Sequence, residues 1–235
     1  MNTTAYEQRR SQIEHYFDRT AADAWARLTS NEPVGRIRAT VRAGRDTMRE
    51  TLLSWLPQDM RGLRLLDAGC GTGALALQAA LRGADVVAID LSPTLVKLAA
   101  QRMHAEHPSL PGSVMFLSGD MLSPDLGHFD HVVCMDSLIH YDSEQIAHAL
   151  AGLAQRTRSS MAFTFAPRTP LLALMHSAGR LFPRSDRSPS LTPVAHADLL
   201  DRMQRQASLQ SWAGARMQRV ASGFYTSQAW EWTRT

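Results

Sequence analysis

Two rhythms of apolar and polar positions run along this chain, and the change from one to the other divides it. Residues 6–28 carry Tyr6, Ile13, Phe17 and Leu28 among their apolar positions, with Trp25 nearby, and read as a helix. Asn31, Glu32, Pro33 and Gly35 break that pattern. A second helix is predicted over 36–56 from Ile37, Val41, Met48, Leu52, Leu53 and Leu56, with Pro57 as its stop. Short apolar runs then replace the helical stripe. Leu63–Leu66, Val86–Ile89, Val114–Leu117, Phe129–Met135 and Met161–Phe165 read as strands. Between them lie three helices: Ala74–Leu81, a segment capped by Ser92 that runs from Pro93 to about Glu106, and Glu144–Leu153. Strands alternating with helices mean a parallel sheet covered on both faces.

The end of the chain is different. Pro167, Pro170, Pro183, Pro189 and Pro193 punctuate a long basic stretch around a helix near Leu171–Leu181. A helix over 195–206 follows, then two strands, Leu209–Val220 and Phe224–Thr233, that read as a hairpin. Long loops inside a compact unit usually bind something, so the region near 167–207 is expected to be a substrate-binding insertion. Residues 1–57 are expected to form a helical arm or lid, and 58–235 the core.

Composition narrows the class. The chain has 235 residues, 44% hydrophobic and 20% charged, which suits a globular protein. Its two cysteines, Cys70 and Cys134, exclude a disulfide scaffold and a four-cysteine zinc ribbon; both read as small buried residues. There is no apolar run of the roughly 18 residues that span a bilayer. The first dozen residues lack an apolar signal core, so a cytoplasmic location is expected. Lys97 is the only lysine among 25 basic residues; the rest are arginines, which grip carboxylates and phosphates in a planar fork. A net charge of +3 is too small to argue for nucleic acid.

The chemistry concentrates at Leu65-Leu66-Asp67-Ala68-Gly69-Cys70-Gly71-Thr72-Gly73, between a strand and a helix. Gly69, Gly71 and Gly73 allow a tight turn and a close approach of backbone to ligand. Asp90 ends the next strand, where a carboxylate can accept both hydroxyls of a ribose. These features alone suit either a dinucleotide or S-adenosylmethionine. Asp67 favours the latter, because a carboxylate beside the first glycine repels a pyrophosphate and suits an ammonium or sulfonium. Gly119-Asp120-Met121-Leu122, after the third strand, adds a polar edge and an apolar face for an adenine.

This stretch resembles motif I of the class I S-adenosylmethionine-dependent methyltransferases. The resemblance implies a Rossmann-like α/β fold with a seven-stranded sheet whose last strand is antiparallel, and helices on both faces. It also implies that Asp67, Gly69, Gly71 and Gly73 border the methionine part, Asp90 and Leu91 the ribose, and Asp120 and Met121 the adenine. Asp136, at the end of the fourth strand, would line the donor pocket.

Other segments extend the resemblance over nearly the whole chain. They are Tyr16-Phe17 and Trp25, Val41-Arg42-Ala43-Gly44-Arg45-Asp46, Met135-Asp136-Ser137-Leu138-Ile139-His140-Tyr141, Thr164–Pro170 and Phe182–Pro189. Together they are similar to the magnesium-protoporphyrin IX O-methyltransferases of bacteriochlorophyll synthesis. The implied reaction is methylation of a propionate of magnesium-protoporphyrin IX, with S-adenosylhomocysteine as the other product. His140 is then the catalytic candidate. Arg42, Arg45, Tyr141, Arg168, Arg184 and Arg187 are candidates to hold the acceptor, and the arginines are equally candidates for the donor's methionine carboxylate. Phe165, Leu172, Met175 and Phe182 are candidates to wall the macrocycle. Magnesium chelatase is an implied source of substrate, and contact with the photosynthetic membrane an implied location. Chlorophyll-type relatives link a first-helix tyrosine with catalysis; Thr29 stands there in this chain, so that role does not carry over.

Overall fold

The computed structural model describes residues 3–16, 18, 35–168 and 191–235. Helix α1 spans Thr3–His15 and α2 spans Arg36–Trp55. Strand β1 is Arg64–Ala68, followed by α3, Ala74–Leu81. Then come β2, Asp85–Asp90; α4, Pro93–Glu106; β3, Ser113–Ser118; and β4, Phe129–Cys134. The chain continues with α5, Ser143–Ala154; β5, Thr157–Phe165; α6, His196–Gln204; β6, Trp212–Ser222; and β7, Tyr225–Arg234.

The seven strands form one sheet in the order β3-β2-β1-β4-β5-β7-β6. β1 to β5 pair in parallel. β7 runs antiparallel between β5 and β6, which is the expected reversed last strand. The strand order reverses at β1–β4, and open α/β sheets bind ligands at the carboxyl ends beside that switch.

Apolar residues fill both faces of the sheet. On one face α5, α6 and Ile13 of α1 pack with Leu66, Val132 and Phe163. On the other, Met48, Leu52 and Leu53 of α2 pack with α3 and with Leu65, Val133 and Ala229 of the sheet. The stretch 1–57 therefore contains two helices of different standing. α2 is a core helix along its second half, whereas α1 reaches the core through Ile13.

Most predicted elements are present, with shifted ends. β5 extends back to Thr157 through polar residues that find partners: Thr157 donates to the Leu153 carbonyl, and Ser160 bonds the His131 ring. Leu209 belongs to a short 3₁₀ turn rather than to β6, and its side chain is buried there. The helix near Leu171–Leu181 lies outside the described residues, as do Phe17 and residues 19–28 of the first predicted helix.

Candidate functional site

A cavity opens at the carboxyl ends of β1, β2, β3 and β4. Its wall includes Asp67, Gly69, Gly71, Asp90, Leu91, Asp120, Met121, Asp136, His140 and Tyr141, together with Arg42 and Arg45. Twelve of the residues singled out from the sequence thus meet in one place.

The glycine turn forms one wall. Gly69, Gly71 and Gly73 all have positive φ, at 85°, 53° and 77°. Gly73 does not line the cavity. It starts α3, and a Cβ there would lie 2.9 Å from the Phe116 ring. Asp67 is fully buried in β1, and its Oδ2 has no hydrogen-bond partner among the described residues. Burial pushes its pKa up to about 7, with the charge of Asp90 adding to the rise and the Ala76 amide opposing it. A buried carboxylate oxygen left bare on a cavity wall fits a cationic ligand group. Asp90 ends β2, and each of its oxygens accepts one backbone amide: Oδ2 from Gly71 at 2.8 Å, Oδ1 from Ser92 at 2.9 Å. A carboxylate has about four lone-pair sites, so two remain for hydroxyls. Desolvation raises the Asp90 pKa, against the pull of these amides.

Asp120 and Met121 sit on the loop after β3. Arg156 anchors that loop by donating to the carbonyls of Leu122 and Ser123. Asp120 Oδ1 accepts the Leu122 amide at 2.9 Å, and Oδ2 takes Arg10 Nη1 of α1 at 2.7 Å. α1 crosses the cavity mouth at further points. Ile13 lines the wall, and Arg9 Nε donates to the His140 carbonyl at 2.9 Å. Beyond the end of α1, Asp18 accepts from Ser92 Oγ and the Thr94 amide.

Another part of the lining carries arginines. Arg42, Arg45 and Arg49 recur at helical spacing on α2 and share the face turned to the cavity. Arg45 Nη1 donates to Asp136 Oδ2 at 2.7 Å, and Arg49 pairs with Asp46 at 2.8 Å. His140 and Tyr141 follow β4 and are buried. Their loop is pinned at both ends. The Tyr141 amide bonds the Leu138 carbonyl, and Asp142 and Gln145 form a reciprocal capping box at the start of α5. The Thr192 amide bonds the Ile139 carbonyl and its hydroxyl the His140 carbonyl, tying the segment before α6 to this loop.

Some expectations land elsewhere. Arg168 is exposed and does not line the cavity. Its neighbour Pro167 is buried and bridges Val194, and in an extended segment the next side chain points the other way. Phe165 is buried in the core against Phe163 and Trp230 rather than in the cavity. Cys134 is buried as expected, whereas Cys70 is only half-buried and lines the cavity. Arg184, Arg187, Leu172, Met175, Phe182, Trp25 and Thr29 lie outside the described residues. The sequence reading missed Thr164, Tyr225 and Ser227, which all bond Asp136. The available signal was weak: polar residues recurring in otherwise apolar terminal strands.

Comparison with known proteins agrees with this geometry. A model described as "Methyltransferase domain" matches residues 65–160, and one described as "Magnesium-protoporphyrin IX methyltransferase C-terminus" matches 134–234. The chain is 50% identical over 228 residues to a magnesium-protoporphyrin O-methyltransferase of Rhodobacter capsulatus, covering 97% of both chains. It is 30% identical over 221 residues to the chloroplastic magnesium protoporphyrin IX methyltransferase of Arabidopsis thaliana, covering 92% of this chain and 68% of the other. Among solved structures, the magnesium protoporphyrin IX methyltransferase of Synechocystis with bound SAH superposes with a TM-score of 0.83 at 27% identity. That match covers 96% of this chain and 99% of that one. The glycine turn, the three carboxylates around it and the full-length similarity place this chain in the magnesium-protoporphyrin O-methyltransferase family.

Proposed function

We propose that this chain transfers the methyl group of S-adenosylmethionine to a propionate carboxylate of magnesium-protoporphyrin IX. The products are the monomethyl ester and S-adenosylhomocysteine. The observation that carries the reading is one cavity lined both by a bare buried carboxylate, Asp67, and by a row of arginines. The first fits the ammonium of the donor. The second fits carboxylates, which a guanidinium grips in a planar fork.

The donor supplies a methyl group already activated on a sulfonium. A propionate titrates near ~4–5, like a glutamate side chain, so it is ionised at pH 7 and needs no base. What remains for the protein is positioning, which supplies roughly 7–11 kcal/mol in favourable cases. Asp67 and the glycine turn would hold the methionine part, Asp90 the ribose hydroxyls, and Asp120 with Met121 the adenine. Arg42 and Arg45 would take carboxylates. His140, held beside the glycine turn by its pinned loop, would orient the propionate by a hydrogen bond. α1 would act as a lid, closing over the cavity through Arg9 and Arg10, with Asp18 beyond its end, and excluding water. The stretch between Arg168 and α6 would complete the macrocycle site, with Arg184 and Arg187 as further carboxylate partners, whereas α6 itself belongs to the core. Magnesium chelatase is the expected source of the substrate. The poorly soluble porphyrin favours loose membrane contact, and no described helix is long and apolar enough to cross a bilayer.

The test is single-turnover transfer from labelled S-adenosylmethionine to magnesium protoporphyrin, metal-free protoporphyrin and no acceptor, with the product identified by mass. A monomethyl ester formed chiefly from the magnesium porphyrin is the expected result. Donor binding without any ester would overturn the acceptor. In the same assay His140→Ala should lower kcat about 100-fold, the order of loss that a reactant misplaced by about 1 Å produces. His140→Gln, which keeps a donor, should recover part of that loss; no recovery would point to proton removal instead of orientation.

A further inference from the structure

Asp136 was expected among the donor-binding residues, yet its carboxylate is already occupied. Oδ2 accepts Arg45 Nη1 at 2.7 Å. Oδ1 accepts Thr164 Oγ1 at 3.2 Å, the Tyr225 hydroxyl at 3.0 Å and Ser227 Oγ at 3.3 Å. The Tyr225 hydroxyl also lies 3.2 Å from Oδ2. Its side chain is only 4% exposed. These contacts use the roughly four lone-pair sites a carboxylate has. The backbone of Asp136 is held as firmly. It has a φ of 53°, the one positive value among described residues other than glycine, and its amide donates to Thr164 Oγ1 at 2.7 Å. A residue in this costly conformation persists where its surroundings over-determine it, and such residues cluster at functional sites.

The support reaches back to α2. A Cβ at Gly44 would lie 2.5 Å from Tyr225 Cδ1, so only a glycine lets the tyrosine ring lie against this helix. The next residue is Arg45. Gly44 therefore seats the ring whose hydroxyl holds Asp136, and Asp136 holds the guanidinium one step along the same helix. Arg45 lines the cavity, whereas Tyr225 does not.

We propose that Asp136 is a positioning residue, braced by Tyr225 on Gly44, that aims Arg45 into the cavity to receive a ligand carboxylate. A guanidinium carries five N–H donors, so its bond to Asp136 does not exhaust it. The inference rests on the reading of Arg45 as a binding residue. The carboxylate has two sources, the α-carboxylate of the methyl donor and a propionate of the acceptor, and the experiment separates them.

The experiment compares wild type, Arg45→Ala, Tyr225→Phe and the double variant, with KM measured separately for S-adenosylmethionine and magnesium protoporphyrin. Tyr225→Phe keeps the ring on Gly44 and removes one donor from Asp136. It should raise one KM about five- to tenfold while kcat and the melting temperature stay near wild type, the pattern of lost uniform binding. Arg45→Ala should raise the same KM further, and the double variant should match Arg45→Ala because both act through one group. A rise confined to the donor KM assigns the donor carboxylate; a rise confined to the porphyrin KM assigns the acceptor. An unchanged KM in Tyr225→Phe, or effects that multiply in the double variant, would overturn the positioning role. Unchanged KM values in Arg45→Ala would instead overturn the reading of Arg45. The wild-type turnover run alongside reports on the reaction itself.

Discussion

Asp90 ends β2 and Asp136 lies two residues past β4 of the same sheet, and both face one cavity, yet they are built in opposite ways. Asp90 is held by main-chain amides of Gly71 and Ser92, close to it in the fold and shared by any sequence that makes this turn. No cation balances it within that set, and burial raises its pKa. Asp136 is held by side chains from α2, β5 and β7, with Arg45 supplying the opposite charge. The first arrangement leaves acceptor capacity and an unbalanced charge for a ligand. The second uses that capacity internally. A carboxylate at a strand end is thus a ligand or a brace according to what supplies its donors, not according to where it stands.

Truncating each carboxylate breaks this contrast most directly. Asp90→Ala should weaken S-adenosylmethionine binding by at least about 100-fold, because two hydrogen bonds to a charged acceptor contribute roughly 1.5–3 kcal/mol each. Its ligand-free melting temperature should stay within about 4 °C of wild type, roughly 1 kcal/mol for a chain of this size. Asp136→Ala should lower the melting temperature more than Asp90→Ala does, since Arg45 and the buried Tyr225 hydroxyl lose a common acceptor, and should raise the same KM that Arg45→Ala raises. Calorimetric titration and thermal unfolding of both variants decide it. Equal melting temperatures would remove the distinction.

Asp67 sharpens the contrast through pH. Its pKa is pushed up to about 7 by burial, and a donor ammonium seated against it, as proposed above, would favour the ionised form. Below pH 7 the carboxyl must release a proton for the donor to bind. Affinity should therefore rise with pH, by up to about tenfold per unit, and level off near 7. Above about 8 it should fall again as the donor's α-amino group loses its own proton. Asp67→Asn should flatten the acid limb and leave the alkaline one. An acid limb that survives the substitution would assign the titration to another group.

The same contrast explains what the sequence disclosed. The Asp67–Gly73 turn and Asp90 are visible because their geometry is local: a strand, three glycines, a helix and one acid at the next strand end. The five parallel strands were visible for a similar reason, as apolar runs between helices. The brace on Asp136 was not, because Arg45 and Ser227 each stand 91 positions from it, Tyr225 89 and Thr164 28. No spacing rule links such residues before the sheet order is known. β5 was read too short because Thr157 to Ser160 are polar, and their buried hydrogen bonds replace the apolar signal. Arg168 was read as a ligand from its motif, but the Pro167–Val194 bridge turns it outward.

The smallest expected effect concerns α1, which adds Ile13 to the cavity lining and reaches Asp120 and the His140 carbonyl. α2 is fixed by apolar burial through Met48 and Leu52, whereas α1 meets the cavity through polar links and Ile13. Its Arg10–Asp120 pair is partly exposed, at 35% and 23% of the two side chains. Pairs of this kind contribute roughly 0–1 kcal/mol and weaken with salt. Arg10→Ala should therefore change donor affinity by no more than about fivefold. Its larger effect should be kinetic, because Arg10 sits on the oxygen of Asp120 that an adenine amine would seek. Donor association should quicken in the variant, and added salt should quicken the wild type toward the same rate. Stopped-flow binding at two ionic strengths measures both. An affinity loss beyond tenfold would make Arg10 a ligand contact, and α1 a wall of the site instead of its lid.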